Sequence, residues 1–249
     1  MRLEGKRAIV TGAASGFGEG IASRFASEGA TVVVADLNRD GANRVAGLIS
    51  EAGGKAIAAE VDVADNQSVK TLIDATIETV GGVDIVVNNA GTTHRRGGMI
   101  EVEEDVFDRV YAVNVKSLYL FARHAIPVME RGAAFLNIAS TAGIRPRPGL
   151  VWYNGTKGAA ITITKGMAVE LAPEGIRVNA LNPVVGETGL TAMFLGEDTP
   201  EMRETFRSTI PLGRFSTAQD VASAAVYLCS DEAEFITGVC MEVDGGRCV

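Results

Sequence analysis

The chain of 249 residues is long enough for one large α/β domain with a buried core, although two smaller domains would also fit the length. Its formal net charge of -8 argues against a general nucleic-acid binder, because phosphate contacts need a dense excess of Lys and Arg. A composition that is 47% hydrophobic, with 29 Gly and only 6% aromatic residues, is that of a globular protein packing Ala, Val and Ile closely, not of a disordered chain.

The first residues, Met1-Arg2-Leu3-Glu4-Gly5-Lys6-Arg7, carry no apolar stretch of signal-peptide type, and no later apolar run is long enough to span a bilayer. A cytoplasmic location is expected, with no membrane partner. Cys229, Cys240 and Cys248 form no Cys-x-x-Cys pair, and His94 and His124 are the only imidazoles, so no metal site is expected. Cys229 and Cys240 read as core residues and Cys248 as a tail thiol.

In chain order, short Val/Ile/Ala-rich segments at Arg7–Thr11, Thr31–Asp36, 56–61, 84–88, 133–139 and 176–181 read as buried strands, with a closing strand at 239–243. Between them lie segments of helical spacing: 18–28, 41–52, 67–80, 103–129, 152–171 and Ala218–Cys229. This alternation predicts an α/β fold, a single doubly wound parallel sheet of Rossmann type with helices on both faces and no second domain. The segment 186–211, rich in Met, Phe, Thr and Glu, fits no strand-helix unit and reads as a mobile insertion covering the site.

Thr11-Gly12-Ala13-Ala14-Ser15-Gly16-Phe17-Gly18 follows the first strand and opens the first helix. Backbone without Cβ can turn sharply and approach a pyrophosphate, while free N–H groups and the helix dipole favour its charge, so Gly12, Ser15, Gly16, Phe17 and Gly18 are candidate dinucleotide-binding residues. Eighteen residues after Gly18, Asp36 ends the second strand, where a carboxylate can accept hydrogen bonds from ribose hydroxyls and repel a 2′-phosphate. The expected cofactor is therefore NAD. Arg39 nearby is a hedge toward NADP, and Asp36 could instead cap the following turn.

Tyr153 and Lys157 stand four residues apart at the start of a predicted helix and share one face of it. A phenol is too weakly acidic to act as a base near neutrality unless an adjacent ammonium stabilises its phenolate. Such a pair alone is weak, because Tyr-x-x-x-Lys occurs by chance on many helices. Here it coincides with the glycine turn, with Asn88-Asn89-Ala90-Gly91 after the fourth strand, with Asn114 in a long helix and with Ser140 at the end of the fifth strand.

This combination resembles the short-chain dehydrogenase/reductase family, in order and spacing, from Lys6 to Gly246. The resemblance implies that Ser140 hydrogen-bonds the substrate oxygen, Tyr153 exchanges its proton, Lys157 lowers the Tyr153 pKa and binds nicotinamide ribose, and Asn114 supports a proton-relay water. It further assigns Asp62 and Val63 to adenine, Asn89, Ala90 and Gly91 to the central part of the cofactor, and Pro183, Val185 and Thr188 to its nicotinamide end. One departure is evident: where the family commonly has Pro-Gly after the sixth strand, this chain has Pro183-Val184. Read without the resemblance, Ser140 could cap a turn and Asn114 could satisfy helix backbone groups.

The stretches 88–94, 145–153 and 182–188 resemble the subgroup that oxidises hydroxymethyl-benzenesulfonate in toluenesulfonate breakdown. His94, Arg95, Arg96, Arg145 and Arg147 all lie on loops after strand carboxyl ends, where open α/β sheets bind ligands. Arginine suits planar oxyanions, so an anionic or aromatic alcohol held by His94, Arg145, Arg147 and Trp152 is the expected small-molecule substrate. These arginines could equally form solvated or intersubunit ion pairs. A 3-oxoacyl-[acyl-carrier-protein] reductase is the alternative and a non-catalytic nucleotide-binding protein a third reading. Apolar residues spread around the helices at 103–129 and 152–171, and assembly usual among similar proteins, suggest a homotetramer.

Overall fold

The computed structural model describes residues 1–186, 189 and 191–249. Seven strands form one sheet: β1 (Arg7–Thr11), β2 (Thr31–Asp36), β3 (Lys55–Glu60), β4 (Ile85–Asn88), β5 (Ala134–Ile138), β6 (Arg177–Pro183) and β7 (Cys240–Val243). Their order is β3-β2-β1-β4-β5-β6-β7, and every pairing is parallel.

The central strands are apolar without interruption because both faces are covered, and alternate residues serve opposite layers. Ala8, Val10, Val32, Val34, Ile85, Val87, Leu136 and Ile138 pack with α1 (Gly16–Ser27), α2 (Arg39–Glu51) and α9 (Ala218–Cys229). Ile9, Val33, Val86 and Phe135 point the other way, into a core shared with α3 (Asn66–Val80), α5 (Ser117–Ala125) and α6 (Val151–Leu171). β3 departs from the expectation of a buried strand. It is the sheet edge, with Lys55 and Glu60 exposed, and charge at an edge discourages pairing with another chain. Cys229 is core as expected, Cys248 is a half-buried free thiol in the tail, and Cys240, read as core, lies half-buried on the opposite edge strand.

The single helix expected over 103–129 is broken. α4 (Glu104–Tyr111) leads into a π-helical turn over Ala112–Lys116 before α5 resumes, and α5 closes in a short 3-10 turn. The segment 186–211, expected as a mobile insertion covering the site, contains α7 (Thr191–Leu195) and α8 (Pro200–Arg207), the latter begun by Thr199 accepting a hydrogen bond from Met202 N–H. Leu195, Phe206 and Ile210 join Val184 in a small apolar cluster, so this segment is anchored to the end of β6.

The connections leaving β1 and β4 lead toward opposite edges of the sheet, which leaves a crevice at the carboxyl ends of these two strands, and the glycine turn opens there. Gly18 lies inside α1 where the turn folds back: a Cβ on it would come within 2.2 Å of the Gly12 carbonyl oxygen and 2.5 Å of Asn89 Nδ2. Gly18→Ala is therefore expected to destabilise the fold by about 1–3 kcal/mol and to weaken dinucleotide binding. Thermal unfolding with and without NADH measures both.

Candidate active site

The floor of the crevice is stitched across its two sides. The Thr11 hydroxyl donates to the Val87 carbonyl at 3.2 Å and accepts from the N–H groups of Asn89 and Ala90, each at 3.0 Å. Asn89 Nδ2 returns two bonds, to Thr11 O at 2.8 Å and Gly12 O at 3.0 Å. Gly12 has φ +62°, and a Cβ there would meet Ala90 Cα at 2.8 Å. Ser15 does not cap α1 with its side chain, which leaves the first-turn N–H groups available to an anion. Above this floor lies a cavity of about 540 Å³ that joins Gly12, Ser15, Gly16 and Phe17 to Ser140, Tyr153 and Lys157.

At the far end of the cavity, Asp36 accepts from Ala14 N–H at 2.9 Å and from Asn38 N–H at 2.8 Å. Its carboxylate thus caps the local turns, as the alternative reading held, and lines the cavity as well. Arg39 is drawn off toward Glu60, 3.8 Å away, and is not on the cavity wall. Asp62 and Val63 line the same end, with Arg109 at 3.5 Å from Asp62.

Asn89, Ala90, Gly91, Pro183 and Val185 also reach the cavity. Gly18 supports the turn from beneath, and Thr188 lies outside the described residues. The glycine missing after Pro183 reappears two positions beyond Val184, at Gly186, where a Cβ would strike the Phe17 ring at 2.4 Å. Of the residues expected at the substrate, Arg147 is on the wall and three are not. His94 is buried, with Nδ1 on the Arg95 carbonyl at 2.9 Å. Arg145 is exposed and donates to the Arg247 carbonyl at 2.7 Å. Trp152 donates to the Met99 carbonyl at 2.9 Å and packs edge-on to Phe107. Sequence reasoning missed Phe194 and Phe206, which line the cavity from α7 and α8. Their only sequence signal was the aromatic content of 186–211.

At the reacting end, α6 carries Tyr153 and Lys157 inward from its first two turns, and both are buried. Lys157 Nζ donates to the Ile138 carbonyl at 2.8 Å. Ser140 stands two residues past β5, and its hydroxyl oxygen accepts from Ala142 N–H at 3.1 Å while its proton is directed to the Tyr153 phenol. The Asn114 side chain, held in the π turn, accepts from Thr92 N–H at 2.8 Å and donates to Thr92 O at 2.8 Å and to Thr156 Oγ1 at 3.0 Å. Asn114 therefore braces the loop after β4, and its Oδ1 keeps a second lone pair.

Burial pushes the Tyr153 phenol up to about 12, against the opposing pull of Ser140 and the positive Arg147. Burial lowers Lys157 to about 8 from an ordinary 10.5. Between these two values the unfolded chain binds more protons at Lys157 than the folded one, so this group makes stability rise with pH from about 8 to about 10. Below about 8 both states are charged and its burial penalty is constant. Denaturation midpoints across that range are expected to rise for the unmodified protein relative to Lys157→Met, which lacks the titration.

Comparison with known proteins agrees with this geometry. A family model described as Enoyl-(Acyl carrier protein) reductase matches residues 12–247. The chain is 53% identical over 250 residues to 4-formylbenzenesulfonate dehydrogenase of Comamonas testosteroni, with 99% of each covered. A solved structure of 3-ketoacyl-(acyl-carrier-protein) reductase from Brucella melitensis complexed with NADH superposes with TM-score 0.92 at 47% identity, covering 99% of this chain and 100% of that one. A short chain dehydrogenase from Burkholderia cenocepacia in complex with NADP superposes with TM-score 0.93 at 32% identity, with both chains fully covered at 100%. A seven-stranded parallel sheet, a glycine turn at its crevice and full-length likeness at this level place the chain in the short-chain dehydrogenase/reductase family, as an oxidoreductase of alcohol or carbonyl groups.

Proposed function

We propose that the protein is an NAD(H)-dependent dehydrogenase in which Ser140, Tyr153 and Lys157 handle the proton and the substrate oxygen while a hydride moves to or from carbon. The observation that carries this reading is that all three line the same cavity as the glycine turn. The turn fits a dinucleotide because its backbone is stripped of Cβ atoms at the crevice floor and its helix N–H groups are uncapped. When bound, nicotinamide supplies the hydride acceptor or donor.

In the oxidising direction the Ser140 hydroxyl donates to the substrate oxygen and steadies its developing negative charge. Tyr153 Oη takes the hydroxyl proton, and Lys157, cationic at neutral pH, favours the phenolate that receives it. Phe194, with its ring centroid 5.0 Å from that of Tyr153, keeps water from this end. In the reducing direction Tyr153 returns the proton.

Asp36 supports NAD over NADP, since its carboxylate is fixed by two backbone N–H groups, Arg39 turns to Glu60, and the cation lining that end, Arg109, is paired with Asp62. On the substrate side, the 53% relative is named for an aromatic sulfonate aldehyde, the compound a hydroxymethyl-benzenesulfonate becomes on losing a hydride and a proton. That supports an anionic or aromatic alcohol. A 3-oxoacyl-[acyl-carrier-protein] reductase is the second reading, favoured by the likeness to the Brucella structure. A homotetramer and a cytoplasmic location belong to the same proposal; exposed Tyr119 on α5 and Val169 on α6 support assembly.

Tyr153→Phe is expected to lower kcat by at least about 100-fold with NADH binding retained, because it removes a transferable proton and little bulk. Steady-state rates and NADH fluorescence titration test this together. Asp36→Ala is expected to lower kcat/KM with NAD by about 10- to 100-fold and to narrow the preference over NADP. An unmodified protein that prefers NADP would overturn the cofactor assignment.

A further inference from the structure

We propose that Arg147 is the residue that reads substrate charge, binding the anionic end of an aromatic alcohol whose hydroxyl carbon lies at Tyr153. The proposal rests on the dehydrogenase reading above and adds which side chain selects the substrate class and why it can.

Arg147 is half-buried, and its Nη1 is enclosed without a hydrogen-bond partner among the described residues. Among the described residues it joins no ion pair with a carboxylate. Burial and the neighbouring cations Arg247 and Arg96 oppose its charge, and among the described residues only the Tyr153 phenol favours it. A half-buried guanidinium with like charges around it is unfavourable, and a ligand that brings negative charge relieves this. The cation thus stands on the cavity wall in need of an anion.

Its position is held from two sides. The Arg147 carbonyl accepts from Asn154 Nδ2 at 2.9 Å, which ties its loop to the first turn of α6 beside Tyr153. Its guanidinium carbon sits 4.4 Å from the centroid of Phe206, and that of Arg247 sits 4.7 Å from the same ring. Arg247 is itself fixed, by donating to Thr209 Oγ1 and by the bond from Arg145 to its carbonyl. Arg247 does not line the cavity, and Arg145 does not either, so both are positioning residues behind Phe206. Phe194 beside Tyr153 and Phe206 beneath Arg147 give the wall between proton and charge an aromatic surface, which suits an aryl spacer.

The test compares kcat/KM for a benzyl alcohol carrying a para-sulfonate with that for its para-methyl analogue, in the unmodified protein, Arg147→Met and Arg147→Lys. Arg147→Met is expected to lower the sulfonate-to-methyl ratio by about 10- to 100-fold, chiefly through KM, and Arg147→Lys to keep part of it. Calorimetric binding of 4-methylbenzenesulfonate to the NADH-loaded protein supplies a readout independent of turnover, with a parallel loss of affinity expected in Arg147→Met. A ratio unchanged by Arg147→Met overturns the proposal, as it would be if a carboxylate of a second copy neutralised Arg147. If neither alcohol is turned over by the unmodified protein, the dehydrogenase reading for these substrates fails while calorimetry still decides Arg147: no sulfonate binding, or binding equal in the variant, overturns it.

Discussion

The site depends on what happens where β1 and β4 stop pairing. Two neighbouring parallel strands whose connections leave in opposite directions must strand backbone groups at their ends, and an unpaired buried N–H or C=O is costly. Here one threonine and one asparagine answer for most of them. Thr11 meets two amides and a carbonyl with a single hydroxyl, and Asn89 spends both amide protons on the carbonyls of Thr11 and Gly12. The glycine turn can then bend away without leaving a hole, and α1 starts where its N–H groups open on the crevice. Asn114 performs the same service one loop further on, for Thr92.

Charge is segregated along the cavity. The lining carboxylates, Asp36 and Asp62, lie at one end, where Arg109 pairs with Asp62, and Lys157 and Arg147 lie at the other with no carboxylate among the described lining residues. The basic end is the buried one, so its groups are kept from their ordinary titration by desolvation, with Tyr153 up to about 12 and Lys157 down to about 8. Such a site is poorly tuned when empty and better tuned when ligands bring complementary charge.

Much of this was legible in the sequence. Ile9, Val33, Val86 and Phe135 alternate with Ala8, Val34, Val87 and Leu136 in runs that make sense only if both faces of the sheet are buried, and the glycine turn and Tyr153 with Lys157 sit at the strand and helix ends that periodicity marked. What escaped was decided by orientation. Arg145 and Arg147 are two residues apart and indistinguishable by type, yet one turns to the Arg247 carbonyl and the other to the cavity. Trp152 has the right chemistry but spends its N–H on the Met99 carbonyl, and His94 is buried off the cavity wall with only Nδ1 partnered, by the Arg95 carbonyl. The two short helices of 191–207 are held by contacts with Val184 rather than by their own periodicity, and no local pattern announces Phe194 or Phe206.

The π turn at Ala112–Lys116 bears on how such a site can be acquired. A π turn is an α-helix into which one extra residue has been threaded, and at 3.6 residues per turn that surplus position belongs to neither packing face. The helix on each side keeps its apolar contacts: Val110 before the turn, Leu118 and Phe121 after it, remain buried. Asn114 therefore occupies a place the core did not require. Insertion of a single codon in an ordinary buried helix would furnish such a position while leaving the ancestral packing in register, so a polar side chain could enter the interior as an addition to the core rather than as a replacement within it.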